Sequence, residues 1–246
     1  MRRSRHTASV AGRFAREAAA LGEGEVCAVF RRSFYARFPG ERYACIGESA
    51  LGRGPLNLFL EDFFLPRINE KIFISAEETV VWNPPAFRGG PSVETIRREA
   101  RVPEEGLGCL ITGRHNALSE HAQPAIEAVE RWLAGHTLAK ETELLVGLGP
   151  GLTPSGDDYL GGVMVALRLA GRGGQADALW RWLEPRLKQR TSAISAAHLA
   201  AAAAGEAHEA LHEVLNGSLE FDKLDAVGHC SGWDGLAGAV AVLRAS

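Results

Sequence analysis

Residues 147–158 read G-L-G-P-G-L-T-P-S-G-D-D, between the apolar run 144–146 and an apolar segment from 159 to 169. Glycines at alternate positions, Gly147, Gly149 and Gly151, let the backbone take positive φ and approach a ligand closely. Thr153, Pro154, Ser155 and Gly156 follow, and then two adjacent acids, Asp157 and Asp158. Thr153 or Ser155 suits the N-cap of a following helix, and Pro154 its first position. Ser155 with Asp158 three residues on has the form of a capping box. A glycine-rich turn opening into a helix N-terminus leaves amides free for phosphate or carboxylate. The plainer reading is a tight, well-capped loop. A cap, however, does not need so many glycines or two neighbouring acids, so Gly149, Gly151, Thr153 and Ser155 are expected to bind a small anion.

A second copy lies downstream. Residues 228–244 read G-H-C-S-G-W-D-G-L-A-G-A-V-A-V-L-R and align with 155–168 at Ser155/Ser231, Gly156/Gly232, Asp158/Asp234, Leu160/Leu236, Gly162/Gly238, Leu167/Leu243 and Arg168/Arg244. Both copies are S-G-x-D-x-L-x-G with an apolar continuation, the same cap chemistry on the same helical frame. The repeat predicts two equivalent helices whose N-termini share one polar pocket. Gly162 and Gly238, poor helix formers, would allow close packing.

The alignment also sorts the polar residues. Asp158 and Asp234 occupy equivalent positions three after a serine, so a structural role claims them first, with substrate contact beside it. Asp157 is matched by Trp233, which makes Asp157 the better expectation for a functional carboxylate. His229 aligns with Thr153 and suits general acid–base work or donation to an oxyanion. Ser231 mirrors Ser155, and both read as anion-binding hydroxyls, since neither lies in a G-x-S-x-G elbow. Thr191 and Ser195, four apart on one helical face, either line the pocket or bond back to their own helix. Two adjacent carboxylates also suit Mg²⁺. No Walker-type G-K-S/T follows the glycines, which argues against a nucleotide loop.

With its later G-H-x-S-G-W-D-x-L-A-G, G-x-G-x-G-L-T-P-S-G-D-D resembles a bacterial family long catalogued as uncharacterised and sometimes labelled a carboxylase. One branch of it is associated with oxamate carbamoyltransferase, as one subunit of a multi-subunit enzyme of allantoin breakdown. The resemblance is strongest from about residue 147 to 238. It implies a carbamoyltransferase-type subunit acting on carbamoyl phosphate and an oxamate- or oxalurate-like acid, with further enzyme subunits as partners. It leaves two alternatives open: a non-catalytic subunit that binds a small carboxylate, and a Mg/ATP-dependent carboxylase. Carbamoyl transfer can proceed by positioning and charge stabilisation without a protein nucleophile.

Outward from the motifs the chain changes character. Residues 9–21 are alanine-rich and helical in pattern. From 25 to 83, short aromatic and β-branched runs (V-C-A-V-F, S-F-Y-A-R-F, R-Y-A-C-I-G, L-N-L-F-L, K-I-F-I-S, T-V-V-W-N) suggest an antiparallel barrel or sandwich. Arg31, Arg32 and Arg37 there read as a solvated face. Past the proline-rich bridge at 84–91, helices are expected at 92–100, 116–134, 176–188, 195–204 and 206–215. The expected fold is α+β: a β-rich barrel- or sandwich-like region over 1–85, then a helical region over 86–246 with two paired S-G-x-D helix N-termini.

At 246 residues, 46% hydrophobic, 23% charged and with a net charge of −3, the composition gives no reason to expect nucleic acid. The four cysteines lack CxxC or zinc-type spacing, so reduced cytosolic thiols are expected, with no metal cage and no cofactor. The basic run 1–16 has no apolar core behind it, and no apolar stretch is long enough to span a bilayer. A cytoplasmic location is the corresponding expectation.

Overall fold

The computed structural model describes residues 5–245 and divides into two compact units, Met1–Pro84 and Pro85–Ser246. The first unit carries strands β1 (Arg5–Gly12), β2 (Gly24–Val29), β3 (Ser33–Phe38), β4 (Arg42–Gly47), β5 (Asn57–Leu60), β6 (Lys71–Ser75) and β7 (Val80–Trp82), with helix α1 (Arg13–Ala19) after β1. The order β5-β4-β3-β2-β6-β1 closes through a β1–β5 pairing into a six-stranded barrel, and β7 attaches to β1 outside it. Period-two burial makes this possible: Phe34, Ala36 and Phe38 of β3 point inward and alternate with Ser33, Tyr35 and Arg37. Phe34, Ala36, Ile46, Leu58 and Ile74 fill the core with Ala15 and Ala18 of α1.

Two expectations fail here. The barrel is not wholly antiparallel, because β1–β6 and β4–β5 are parallel pairs; β7, outside it, also runs parallel to β1. Nor does the first helix begin at residue 9. Val10, Ala11 and Gly12 stay extended to pair with Val80, Val81 and Trp82, so ladder formation overrides the helical propensity of the alanines. Arg32 pairs with Glu48 at 2.8 Å and Arg37 with Glu25 at 3.6 Å, all four side chains partly exposed, so the arginines are met by acids of their own unit.

The second unit is helical: α2 (Val93–Glu99), α3 (Ala117–Leu133), α4 (Ser155–Leu169), α5 (Gly173–Arg190), α6 (Ala193–Ala203), α7 (Glu209–Leu215), α8 (Asp222–Asp225) and α9 (Ser231–Arg244). Caps set several boundaries. Ser92 accepts from the Thr95 amide at 3.1 Å, Asn116 and Ser119 form a full capping box, and Ser192 accepts from the Ser195 amide at 2.9 Å. The two motif helices, α4 and α9, are buried around most of their circumference by Leu160, Val163, Met164 and Leu167, and by Leu236, Ala239, Val240 and Val242.

They touch backbone to backbone. A Cβ at Gly162 would lie 1.8 Å from the Gly235 carbonyl oxygen, and one at Gly238 would lie 1.9 Å from that of Tyr159. Gly235 is the repeat counterpart of Tyr159, so the contact is the same seen from either helix. The two copies of the motif therefore pack as a local pseudo-two-fold, with room only for hydrogen at its centre.

Candidate functional site

Packing through Gly162 and Gly238 brings the starts of α4 and α9 together. Thr153 Oγ1 and Ser231 Oγ are 3.0 Å apart, one hydroxyl from each motif. Neither helix has the cap expected from its sequence. The N-cap positions are Pro154 and Cys230, neither of which supplies a side-chain cap, and Ser155 and Ser231 are already inside the helices. Loop carbonyls do part of the work: Leu148 O accepts from the Gly156 amide at 2.9 Å and Val227 O from the Gly232 amide at 3.2 Å. Freed from capping, the serines face across the axis. The hydroxyl of Ser155 favours the ionised form of Asp234, and that of Ser231 the ionised form of Asp158. The S-x-x-D spacing encodes a reciprocal pair between helices rather than a box within one.

From this symmetric frame the three acids diverge. Asp234 is 1% exposed, and its Oδ1 accepts from the amides of Leu107 at 2.5 Å and Gly108 at 3.1 Å. Burial pushes its pKa up to about 6, while Ser155 and the two amides pull the other way. Asp234 thereby fastens the 106–108 loop to α9.

Asp157 is likewise 1% exposed. Its Oδ1 accepts from the Gly147 amide at 2.8 Å; its Oδ2 accepts from Ser195 Oγ at 2.6 Å and from Thr191 Oγ1. Burial raises its pKa, and these three donors oppose the rise. Thr191 and Ser195 converge on Asp157, although not as neighbours on one helical face: Thr191 is the extended residue that ends α5, and Ser195 lies in the first turn of α6. Asp157 ties the start of the glycine loop to the end of α5 and the first turn of α6. It is thus enclosed by hydroxyls from the end of α5 and the start of α6, where the sequence predicts it facing a ligand and Asp158 serving a cap.

Asp158 is the acid left over. It keeps partial exposure, yet its Oδ2 is shut off from solvent and has no hydrogen-bond partner among the described residues. Its pKa stands well above the ordinary carboxylate value. Burial is the main cause, the charges of Asp234 and Asp157 add to it, and the hydroxyls of Ser231 and Thr153 offset part of it. Beside it the glycine loop has positive φ at Gly147, Gly149 and Gly151. The amides of Gly149, Gly151, Leu152, Thr153 and Ser155 find no acceptor among the described residues. The loop is braced from below by Ser192 Oγ, which donates to Leu152 O at 2.5 Å.

His229 stands at the outer edge, 82% exposed, with Nε2 2.6 Å from a carboxylate oxygen of Glu105, itself 73% exposed. Glu105 has no signal in the sequence, where it is one acid in an ordinary P-E-E-G turn. Behind them the thiol of Cys230 is pushed up to about 11 by burial and by the carboxylates of Asp234, Glu105 and Asp158. Among the described residues, the donors close enough to share a metal ion are those of Glu105, His229 and Cys230, within 4.8 Å of one another. Asp157 and Asp158, read as suited to Mg²⁺, form no such set with a third donor among the described residues.

The arrangement offers one unsatisfied carboxyl oxygen, two bridging hydroxyls and a run of unengaged amides at two converging helix N-termini. Residues 145–243 match the family model described as oxamate carbamoyltransferase subunit AllH, a segment that contains both S-G-x-D helix starts with Asp157, Asp158 and Asp234, but not Glu105. The match supports a relation to that family and suggests a carbamoyltransferase-related subunit with enzyme partner subunits. No curated protein and no solved structure matches the chain. No described helix is long and apolar enough to cross a membrane.

Proposed function

We propose that this chain is a subunit of a carbamoyltransferase-type enzyme and binds a small anionic substrate where α4 and α9 begin. The observation that carries the reading is Asp158 Oδ2, a buried carboxyl oxygen with no partner among the described residues, beside loop amides that likewise have none there. Buried polar atoms are satisfied in native proteins with few exceptions, and an exception at a motif junction points to a missing ligand. An oxamate- or oxalurate-like acid supplies the complement. Its carboxylate takes the amides of residues 149–153 at the positive end of α4, and its amide N–H meets Asp158.

In the forward transfer the substrate's amide nitrogen attacks the carbamoyl carbon of carbamoyl phosphate. The N–C bond forms as the C–O bond to phosphate breaks, phosphate departs, and the nitrogen's proton passes to Asp158. A carboxyl whose pKa is raised by burial is a better acceptor for that proton than one in water. Asp157, Asp234, Thr191 and Ser195 hold the frame, while Thr153 and Ser231 orient Asp158. No protein nucleophile is needed.

Calorimetric titration with oxamate, oxalurate, phosphate and carbamoyl phosphate at fixed ionic strength tests this. At least one should bind the wild type, and Asp158→Asn should weaken that binding about tenfold or more without lowering the melting temperature. A chain that binds none of them overturns the reading. Turnover that appears only on adding partner subunits would assign the chemistry to the assembly. That form of the proposal, a carboxylate-binding subunit which supports a catalytic partner, is favoured by Asp157 and Asp234 being fully engaged within the fold.

A further inference from the structure

Cys230, His229 and Glu105 come together for reasons unrelated to one another. Cys230 is fixed as the residue before α9, buried, with its thiol toward the 103–107 loop. Asp234 grips the amides of Leu107 and Gly108, which holds that loop, and Glu105 with it, against the start of the helix. His229 precedes Cys230 and reaches the Glu105 carboxylate at 2.6 Å. An ion pair this exposed is screened by solvent and adds little to stability, so it does not by itself account for the cluster.

The geometry points to a binding site for a borderline-soft divalent cation of the zinc class, held by Cys230 Sγ, a ring nitrogen of His229 and a Glu105 carboxylate oxygen. Thiolate and imidazole donors select zinc-like ions over Mg²⁺ and Ca²⁺, which prefer oxygen alone. Ligand atoms about 2.0–2.3 Å from a common ion lie roughly 3–4 Å apart. The three donors are within 4.8 Å of one another, and the exposed His229 and Glu105 side chains can rotate to close the remainder, with Cys230 as the fixed point. Three protein ligands leave a fourth position for water or substrate.

The electrostatics agree. Asp234, Glu105 and Asp158 surround the thiol with negative charge, which opposes a bare thiolate but favours a dication. On binding, Cys230 releases its proton to solvent and the metal takes its place. The site requires no assumption about which acid binds at Asp158.

The full chain, stripped with chelator and titrated with Co²⁺, should show a thiolate-to-cobalt charge-transfer band that saturates near one equivalent and is displaced by Zn²⁺. Cys230→Ser should abolish the band, while Cys27→Ser, in the barrel, should leave it intact. The double variant Glu105→Gln/His229→Ala changes only exposed side chains and guards against a Cys230 variant that fails to fold. It should weaken Co²⁺ and Zn²⁺ about tenfold or more. Absence of the band in the wild type, a band that follows Cys27, Cys45 or Cys109, or undiminished affinity in the double variant would each overturn the proposal.

Discussion

The hydroxyl of Ser155 acts on Asp234 of the partner helix, favouring its charged form. Ser231 acts in the same way on Asp158. One crossed pair thus relates both halves of the motif, and the three acids differ in what each of them binds.

The contact at Gly162 and Gly238 should be intolerant of a methyl group. Either Gly162→Ala or Gly238→Ala forces backbone apart, at a cost at or above the roughly 1–3 kcal/mol typical of overpacking. Because both substitutions push on the same crossing, the double variant should cost less than the sum of the singles. Denaturant titration of the three variants measures this; simple additivity would mean that the glycines act independently.

The acids should separate by stability. Asp157→Ala strands the Gly147 amide and the Thr191 and Ser195 hydroxyls, and should cost on the order of 3 kcal/mol. Asp158→Asn removes a buried charge with no partner at Oδ2 and should be neutral or stabilising at pH 7.5 while impairing ligand binding. The opposite ranking in chemical denaturation would reassign the two residues.

Acid should expose the balance between buried histidine and buried acid. His212 is fully buried, and burial holds its pKa down to about 4 against an ordinary 6.5. The unfolded chain therefore takes up the proton first, and stability falls as pH drops below about 6.5, by roughly 2 kcal/mol from this residue at pH 5. Asp158, raised by burial, works in the other direction: its unfavourable charge is relieved as pH falls. The Asp158→Asn variant lacks that relief, so its stability should decline more steeply than the wild type's between pH 7.5 and 5. An equal or shallower decline would show that Asp158 titrates normally.

Asp234→Ala should loosen a loop more than 120 residues away in sequence. The amides of Leu107 and Gly108 lose their acceptor, and their hydrogen exchange should accelerate about tenfold or more, whereas Asp158→Asn should leave them protected. Unchanged protection in Asp234→Ala would mean the loop is held by other contacts.

Much of this architecture was legible in one dimension. Five of the six barrel strands, and β7 outside the barrel, followed from aromatic and β-branched runs, and the pairing of α4 with α9 followed from S-G-x-D-x-L-x-G occurring twice with glycine at the same place. β1 was hidden because its alanines favour helix when alone and become strand only against β5, β6 and β7. The role of Asp157 was hidden for a related reason. Its missing counterpart in the repeat marks it as different, but only the fold brings Thr191 and Ser195 around it. Glu105 gave no local signal at all, since its position depends on Asp234 gripping the backbone two residues beyond it.

The glycine crossing also bears on how the second unit is made. Gly162 and Gly238 are 76 residues apart, so the seam at the centre of the unit closes only after a long intervening segment exists. At roughly 5–20 residues per second, a ribosome needs about 4–15 s to supply the missing half. Throughout that interval the inward face of α4, with Leu160, Val163 and Leu167, lacks its natural cover. Nascent chains paused between α4 and α9 are the stage at which chaperone capture and aggregation should compete with folding, and synonymous changes that slow translation there would widen the opening.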